Sequence, residues 1–299
     1  MSVTINPPGG VFKLDGVPVA RIGFGAMQLP GFAGRPAPPR DAAVALLRRA
    51  TELGVNHIDT AQFYGHGVAN DLIREALAPY PDELVLASKV GAAHRDGTVV
   101  AAQRPEELRA AVEENLTSLG VDRIDVVNLR RLDRPPGISA AGDQVVDLDS
   151  QLAELVALRN AGKIDAIGLS NVTLEQLRAA LPAQIVCVQN AYSLVERDDE
   201  PLLNACIERD IAWAPFFPLG SAAPGRPKVT DRPAVIAAAA ARDVTPAQIG
   251  LAWLLARAPN VLLIPGTADP NHLAENIAAG SVQLDVETIR ELEAEGARS

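Results

Sequence analysis

The chain has 299 residues, a formal net charge of −10 at pH 7 and 48% hydrophobic residues. That length suits one barrel of about 250 residues with additions, and the acidic balance argues against nucleic acid or an anionic membrane as partner. Two cysteines, Cys187 and Cys206, make no disulfide framework and are expected as reduced core residues of a cytoplasmic protein.

The opening segment "MSVTINPPGG" has no apolar h-region, and no apolar run along the chain reaches the roughly 18 residues that span a bilayer. Next, "VFKL", Asp15-Gly16 and "VPVA" predict a β-hairpin on a type I′ turn. Eight apolar runs follow: "RIGFGAM", "VNHID", "LVLASKV", "IDVVNL", "AIGLS", "IVCVQN", "IAWAPFF" and "VLLIPG". They are continuous rather than alternating, which predicts parallel strands buried on both faces.

Helical patterns lie between the runs. In "RPEELRAAVEENLTSLG", Leu108, Ala111, Val112, Leu116 and Leu119 share one face and Gly120 closes the end. Thr173 with Gln176, and Thr245 with Gln248 behind Pro246, predict capping boxes. The segment "DVETIRELEAE" predicts one more helix packed outside. Together these elements predict a single α/β domain over residues 1–299. It is a (β/α)₈ TIM barrel with an N-terminal β-hairpin cap across the bottom and a C-terminal extra helix. The long loops 132–149 and 218–231 follow the fourth and seventh runs, so they are expected over the face where barrel active sites are built.

On a barrel the informative residues are the polar ones at the C-terminal strand ends. Asp59, Lys89, Arg130, Ser170, Asn171 and Gln189 hold such places, and Tyr64 follows Asp59 in the next loop. A buried Lys and Asp on adjacent strands satisfy each other's charge. A cation beside a tyrosine lowers its pKa from about 10 and makes it a proton donor for a carbonyl oxygen. His57 shares parity with Asp59 and is expected inside as a hydrogen-bonded core histidine, while His66 and His94 lie in loops of the catalytic face. No histidine spacing suggests a metal, so none is expected. Phe63 and Trp213 are candidate pocket walls.

The motifs "HIDTAQFYG", "ASKVG", "GLSN", "FFPLG" and "IPGTADPNHLAEN" together resemble the aldo-keto reductases over essentially the whole chain. The nearest likeness is to the bacterial pyridoxal-reductase-like branch, through "DVVNLR", "VCVQN" and "PFFPLG". The resemblance implies metal-free reduction of a small aldehyde or ketone with NADPH, and less so with NADH. It makes Tyr64 the general acid, Lys89 the group that lowers its pKa and Asp59 the group that holds the lysine. Ser170, Asn171 and Gln189 would bind the nicotinamide carboxamide, Phe216 would stack on its ring, Phe217 would also touch the cofactor, and Leu219-Gly220 would follow the pyrophosphate. Gly25, Ala26 and Met27 would underlie the ribose.

Two departures from the family pattern stand out. Arg130 occupies the place of a usual histidine; a guanidinium can donate hydrogen bonds or support a tyrosinate, but it cannot relay a proton. Its bland reading is a partner for a loop carboxylate. At the adenosine end, Gly266 and His272, with Thr267 between them, stand where Lys and Arg often meet the 2′-phosphate, and Glu275 and Asn276 lie on the adenine side. NADPH preference is therefore expected to be modest. The rivals are a barrel aldolase using Lys89 as a Schiff base and a non-catalytic cofactor-binding regulator. The protein is expected as a monomer or weak homo-oligomer.

Overall fold

The computed structural model describes residues 7–32, 34–220 and 226–296. The reading of residues 1–6, and of the loop at 221–225, lies outside these. The strands in chain order are β1 (Val11–Leu14), β2 (Val17–Ala20), β3 (Phe24–Gly25), β4 (His57–Asp59), β5 (Val85–Val90), β6 (Ala92–Arg95), β7 (Thr98–Ala101), β8 (Ile124–Arg130), β9 (Ile164–Ser170), β10 (Ile185–Gln189) and β11 (Ala212–Trp213). Helices α1 (Arg40–Glu52), α2 (Val68–Leu77), α3 (Pro105–Leu119), α4 (Leu148–Asn160) and α5 (Leu174–Ala180) alternate with the strands through β10. Then come α6 (Glu200–Ile207), α7 (Pro233–Ala240), α8 (Pro246–Arg257), α9 (Pro270–Ala278) and α10 (Val286–Gly296). Both expected capping boxes form, and Gly120 ends α3 in the left-handed conformation.

Seven strands build one curled parallel sheet in the order β11-β10-β9-β8-β5-β4-β3. The eighth run, "VLLIPG", is not a strand. It makes isolated parallel bridges, Val261 to Trp213 at one sheet edge and Leu263 to Ile22 beside the other. Pro265 lacks the N–H that would carry the ladder further. The first and seventh runs are also shorter than their apolar stretches. Ala26–Gln28 coils into a 3₁₀ turn after β3, and Pro215 follows closely on β11. The Asp15-Gly16 hairpin forms as β1 against β2, with both turn residues at positive φ. A second hairpin, β6 with β7, turns on Asp96-Gly97 and was not expected.

Side-chain period two divides the sheet into two faces. Ile58, Leu86, Val127, Leu129, Ile167, Leu169, Val188 and Trp213 point outward into the large core shared with the helices. Val85, Ala87, Val126, Ala166, Cys187, Ala212 and Leu262 form a second cluster with Phe12, Leu14 and Val19 of the hairpin. Two residues further along β5 and β10, and four along β8, the same inner face carries Lys89, Gln189 and Arg130. The sheet's inner face is thus apolar where it meets the hairpin and polar at the strand ends. Both cysteines are free and buried. Trp213 is fully buried against Tyr192, so it is core and not a pocket wall.

His57 corrects another expectation. It is buried, but neither ring nitrogen has a partner with hydrogen-bond geometry. Burial lowers its pKa to about 4, and the backbone at Ala20 and Leu263 only partly opposes this. The folded state therefore keeps a neutral imidazole where an unfolded chain takes up a proton near ~6.5. Stability is full above that value and should decline as pH falls from it towards 4. Denaturant midpoints measured across this window should fall more steeply for the wild type than for His57→Asn. Parallel slopes would remove His57 from the acid sensitivity.

Candidate active site

The five strand-end residues converge because their strands are parallel and in register. Asp59 ends β4, Lys89 nears the end of β5, and Arg130, Ser170 and Gln189 end β8, β9 and β10. Arg130 is opposite Ser170, and Ser170 opposite Gln189. The Lys89 ammonium forms an ion pair with Asp59 Oδ2 and donates to the Thr60 carbonyl at 3.1 Å. Both partners are almost fully buried, at 4% and 3% exposure, so neither charge can be met by water. Burial works against the ammonium, but Asp59 and Tyr64 outweigh it and hold the Lys89 pKa above its ordinary range.

Tyr64 lies beside this pair, with Lys89 Nζ 5.0 Å from its ring centroid. Its pKa is raised by burial of the hydroxyl, even though the residue as a whole is half-exposed. Lys89 and Arg130 pull the value down and Asp59 pushes it up. The expectation that Lys89 would leave Tyr64 with a lowered pKa is therefore corrected: the lysine acts in the stated direction, and desolvation wins. A phenol so placed stays protonated, as a proton donor must before it acts.

Among the described residues Arg130 finds no loop carboxylate. Its Nη1 donates to Ser170 Oγ at 3.3 Å, its Nη2 donates to the Pro136 carbonyl at 3.0 Å, and its plane lies over Phe216 at 5.3 Å. Phe217 meets Phe216 edge-on and sits at φ 55°. Gln189 donates through Nε2 to Asp59 Oδ1 at 2.7 Å, while its buried Oε1 has no partner. Asn171, at φ 60°, gives its amide N–H groups to the carbonyls of Arg131 and Arg134, so it braces the following loop.

The two ends of the motif set meet in space. A Cβ on Gly25 would stand 2.5 Å from the Ile264 carbonyl oxygen, and one on Gly266 would stand 2.5 Å from that of Gly25. Only glycine fits either place. Gln28 reinforces the junction by donating to the Gly266 carbonyl at 2.8 Å, and Ala26 and Met27 lie in the same turn. Leu219 is pinned through its carbonyl by Val229 N–H at 3.1 Å, and Gly220 turns at φ 92°. Thr267 is buried, its hydroxyl accepting from Asp269 N–H at 3.0 Å. Asp269 caps α9, on which His272 is exposed and Glu275 and Asn276 are half-buried.

A polar network behind the Tyr64 loop escaped the sequence reading. Thr60 Oγ1 donates to Asn70 Oδ1 at 2.7 Å. Asn70 Nδ2 reaches Gln62, Asn115 and Ser118 at 2.9, 3.0 and 2.9 Å, and Ser88 Oγ donates to Asn115 at 2.6 Å. Thr60, Asn70, Ser88 and Asn115 are all fully buried. One signal was present: Asn115 interrupts the stripe Leu108, Val112, Leu119 at helical spacing. A polar residue there must be satisfied by a buried partner. Among the described residues no cluster of three or more His, Cys, Asp or Glu is placed to hold a metal. Nor is any helix long and apolar enough to cross a membrane.

Comparison with known proteins gives this arrangement its setting. The chain is 44% identical over 288 residues to pyridoxine 4-dehydrogenase of Escherichia coli, covering 94% of this chain and 96% of that protein. It is 36% identical to an uncharacterised oxidoreductase of Schizosaccharomyces pombe, covering 96% and 90%. In three dimensions it resembles the Klebsiella pneumoniae aldo-keto reductase crystallised with NADPH. That match has a TM-score of 0.78 and 26% identity, over 95% of this chain and 94% of the other. The family model for aldo/keto reductases spans residues 21–295, from just before β3 into the last helix. Since that span holds every strand-end residue of the site, the chain belongs to the aldo/keto reductase family.

Proposed function

We propose that Tyr64 is the general acid, Lys89 and Asp59 its charged support, in the NADPH-dependent reduction of aldehydes or ketones that family membership gives this chain. The observation that carries the assignment is the buried chain of contacts from Gln189 through Asp59 and Lys89 to Tyr64. The residues suit a nicotinamide cofactor. Gln189 Oε1 is a buried acceptor without a donor, which a carboxamide N–H would satisfy. Gly25 and Gly266 leave a junction that no side chain could share, and the Phe216 ring, which Arg130 meets on one face, is the candidate for stacking on the nicotinamide.

When bound, NADPH supplies the hydride. The protein's own part is to hold the substrate oxygen at the Tyr64 hydroxyl and give it a proton as negative charge develops there. Lys89 steadies the tyrosinate left behind, and Asp59 keeps the lysine aimed. Arg130 adds a fixed positive charge beside Tyr64 and relays no proton. Ser170 and Asn171 complete the carboxamide side, and Leu219-Gly220 the pyrophosphate side.

The scaffold reads as a single domain, a (β/α)₈ barrel that segment 261–263 closes and the β1–β2 hairpin caps. Bridges from that segment to both sheet edges, and the hairpin's apolar cluster with the inner face, support this. A cytoplasmic location and a monomeric or weakly associated state complete the reading, with the two free thiols buried in the core.

The test is NADPH and NADH consumption with a panel of aldehydes. Pyridoxal is included because the Escherichia coli relative is named for pyridoxine. Steady turnover supports the reductase. Cofactor binding without turnover points to a regulator, and borohydride trapping on Lys89 points to an aldolase.

Thr267, the N–H groups at the start of α9 and His272 would meet the 2′-phosphate. The phosphate has no Lys or Arg in this segment, and Thr267 is partly engaged by Asp269. Preference for NADPH should be modest. Replacing His272 with arginine should raise the NADPH/NADH affinity ratio about tenfold or more, since a charged hydrogen bond contributes roughly 1.5 to 3 kcal/mol. Dissociation constants from fluorescence quenching measure this; an unchanged ratio puts the phosphate elsewhere.

A further inference from the structure

We propose that Arg130 selects carbonyl substrates that carry an ionised oxygen, a carboxylate or phenolate, close to the carbonyl group. The proposal rests on the reductase reading and names the substrate class of that site.

Three arginines lie close together where β8 leaves the sheet, and they differ in one respect. Arg131 pairs with Asp133 at 2.8 Å and Arg134 with Asp199 at 3.1 Å. Arg130 has no acidic partner among the described residues, and the residues outside that description include no Asp or Glu. Its environment is nonetheless dry enough to lower its pKa, and the one charge acting on it is that of Tyr64 when ionised. A half-buried cation without a counter-ion is still costly, so such a group is normally paired.

The structure also fixes this cation in place. Ser170 Oγ and the Pro136 carbonyl accept from its two terminal nitrogens, and the Phe216 ring lies under its plane. All of these partners are neutral. They hold the guanidinium plane yet engage only part of its five N–H donors. One N–H on each terminal nitrogen and the Nε–H are left over, enough donors for two oxygens of one anion. Because Arg130 bears electrostatically on Tyr64, where the carbonyl oxygen is protonated, an anion on the same small molecule and near that carbonyl is placed to meet it.

The experiment uses matched pairs in which one member is ionised at neutral pH. The pairs are phenylglyoxylate with its methyl ester, and 5-nitrosalicylaldehyde with 2-methoxy-5-nitrobenzaldehyde. Product formation with NADPH gives kcat/KM for wild type, Arg130→Met and Arg130→Lys. Wild type should favour the ionised member at least about tenfold, the range of a charge-assisted hydrogen bond. Arg130→Met should bring the ratio to about one, and Arg130→Lys should keep part of it. Equal rates within each pair for wild type overturn the proposal. So does an Arg130→Met variant in which both members fall by the same factor. Arg130→Gln takes the place of Arg130→Met if that variant does not fold. If benzaldehyde and all four compounds are inert in wild type, the reductase reading itself fails, a result distinct from an absent preference.

Discussion

Tyr64→Phe should lose roughly two to four decades of carbonyl-reducing turnover while binding NADPH as the wild type does. The size follows from the usual worth of general acid catalysis. The substitution removes one hydroxyl and keeps the ring that Phe63 meets edge-on at 5.2 Å, so the loop should not move. Burial raises the pKa of this phenol, so the wild type should hold its donor protonated through neutral pH. Single-turnover reduction with cofactor in excess isolates the chemical step. If that step keeps more than about a tenth of its wild-type rate, proton delivery by Tyr64 is refuted, because the expected loss is at least a hundredfold.

Asp59→Asn should be the costliest substitution for stability. It leaves the Lys89 ammonium buried with the Thr60 carbonyl and the Tyr64 hydroxyl as its only support. Breaking a buried pair from one side costs roughly 3–5 kcal/mol. Part of that should return in Asp59→Asn/Lys89→Met, where no lone charge remains, so the two changes should be strongly non-additive. Denaturant unfolding of the wild type, both single variants and the double variant measures the coupling. A single variant within about 0.5 kcal/mol of wild type, the ordinary range for surface changes, would show that the pair does not hold the site together.

Much of this was legible in the sequence for identifiable reasons. Continuous apolar runs mark strands covered on both faces, and parity then places Asp59, Lys89, Arg130 and Gln189 toward one centre. Strand ends were less legible. "RIGFGAM" and "IAWAPFF" look as long as "IDVVNL", yet β3 and β11 have two residues each, since ladder pairing depends on neighbours the run does not show. The β6–β7 hairpin was missed although Asp96-Gly97 repeats the dipeptide of the first hairpin. "AAHR" has neither the alternation nor the β-branched residues that drew attention to "VFKL". Arg130's lack of a carboxylate and the unpartnered nitrogens of His57 are facts of three-dimensional neighbourhood. Nor could composition weigh burial against Lys89 at the Tyr64 hydroxyl.

The amide and hydroxyl cluster behind the Tyr64 loop has one more consequence. Thr60, Gln62, Asn70, Ser88, Asn115 and Ser118 carry no group that gains or loses a proton in the working range of an enzyme. Dissolved ions have little to screen there. The mount of the proton donor is thus indifferent to acidity and buffer strength. Above the acid range in which buried His57 takes up its proton, a bend in the rate profile with pH can be read as the chemistry of the reacting groups themselves, rather than as the loosening of this cluster.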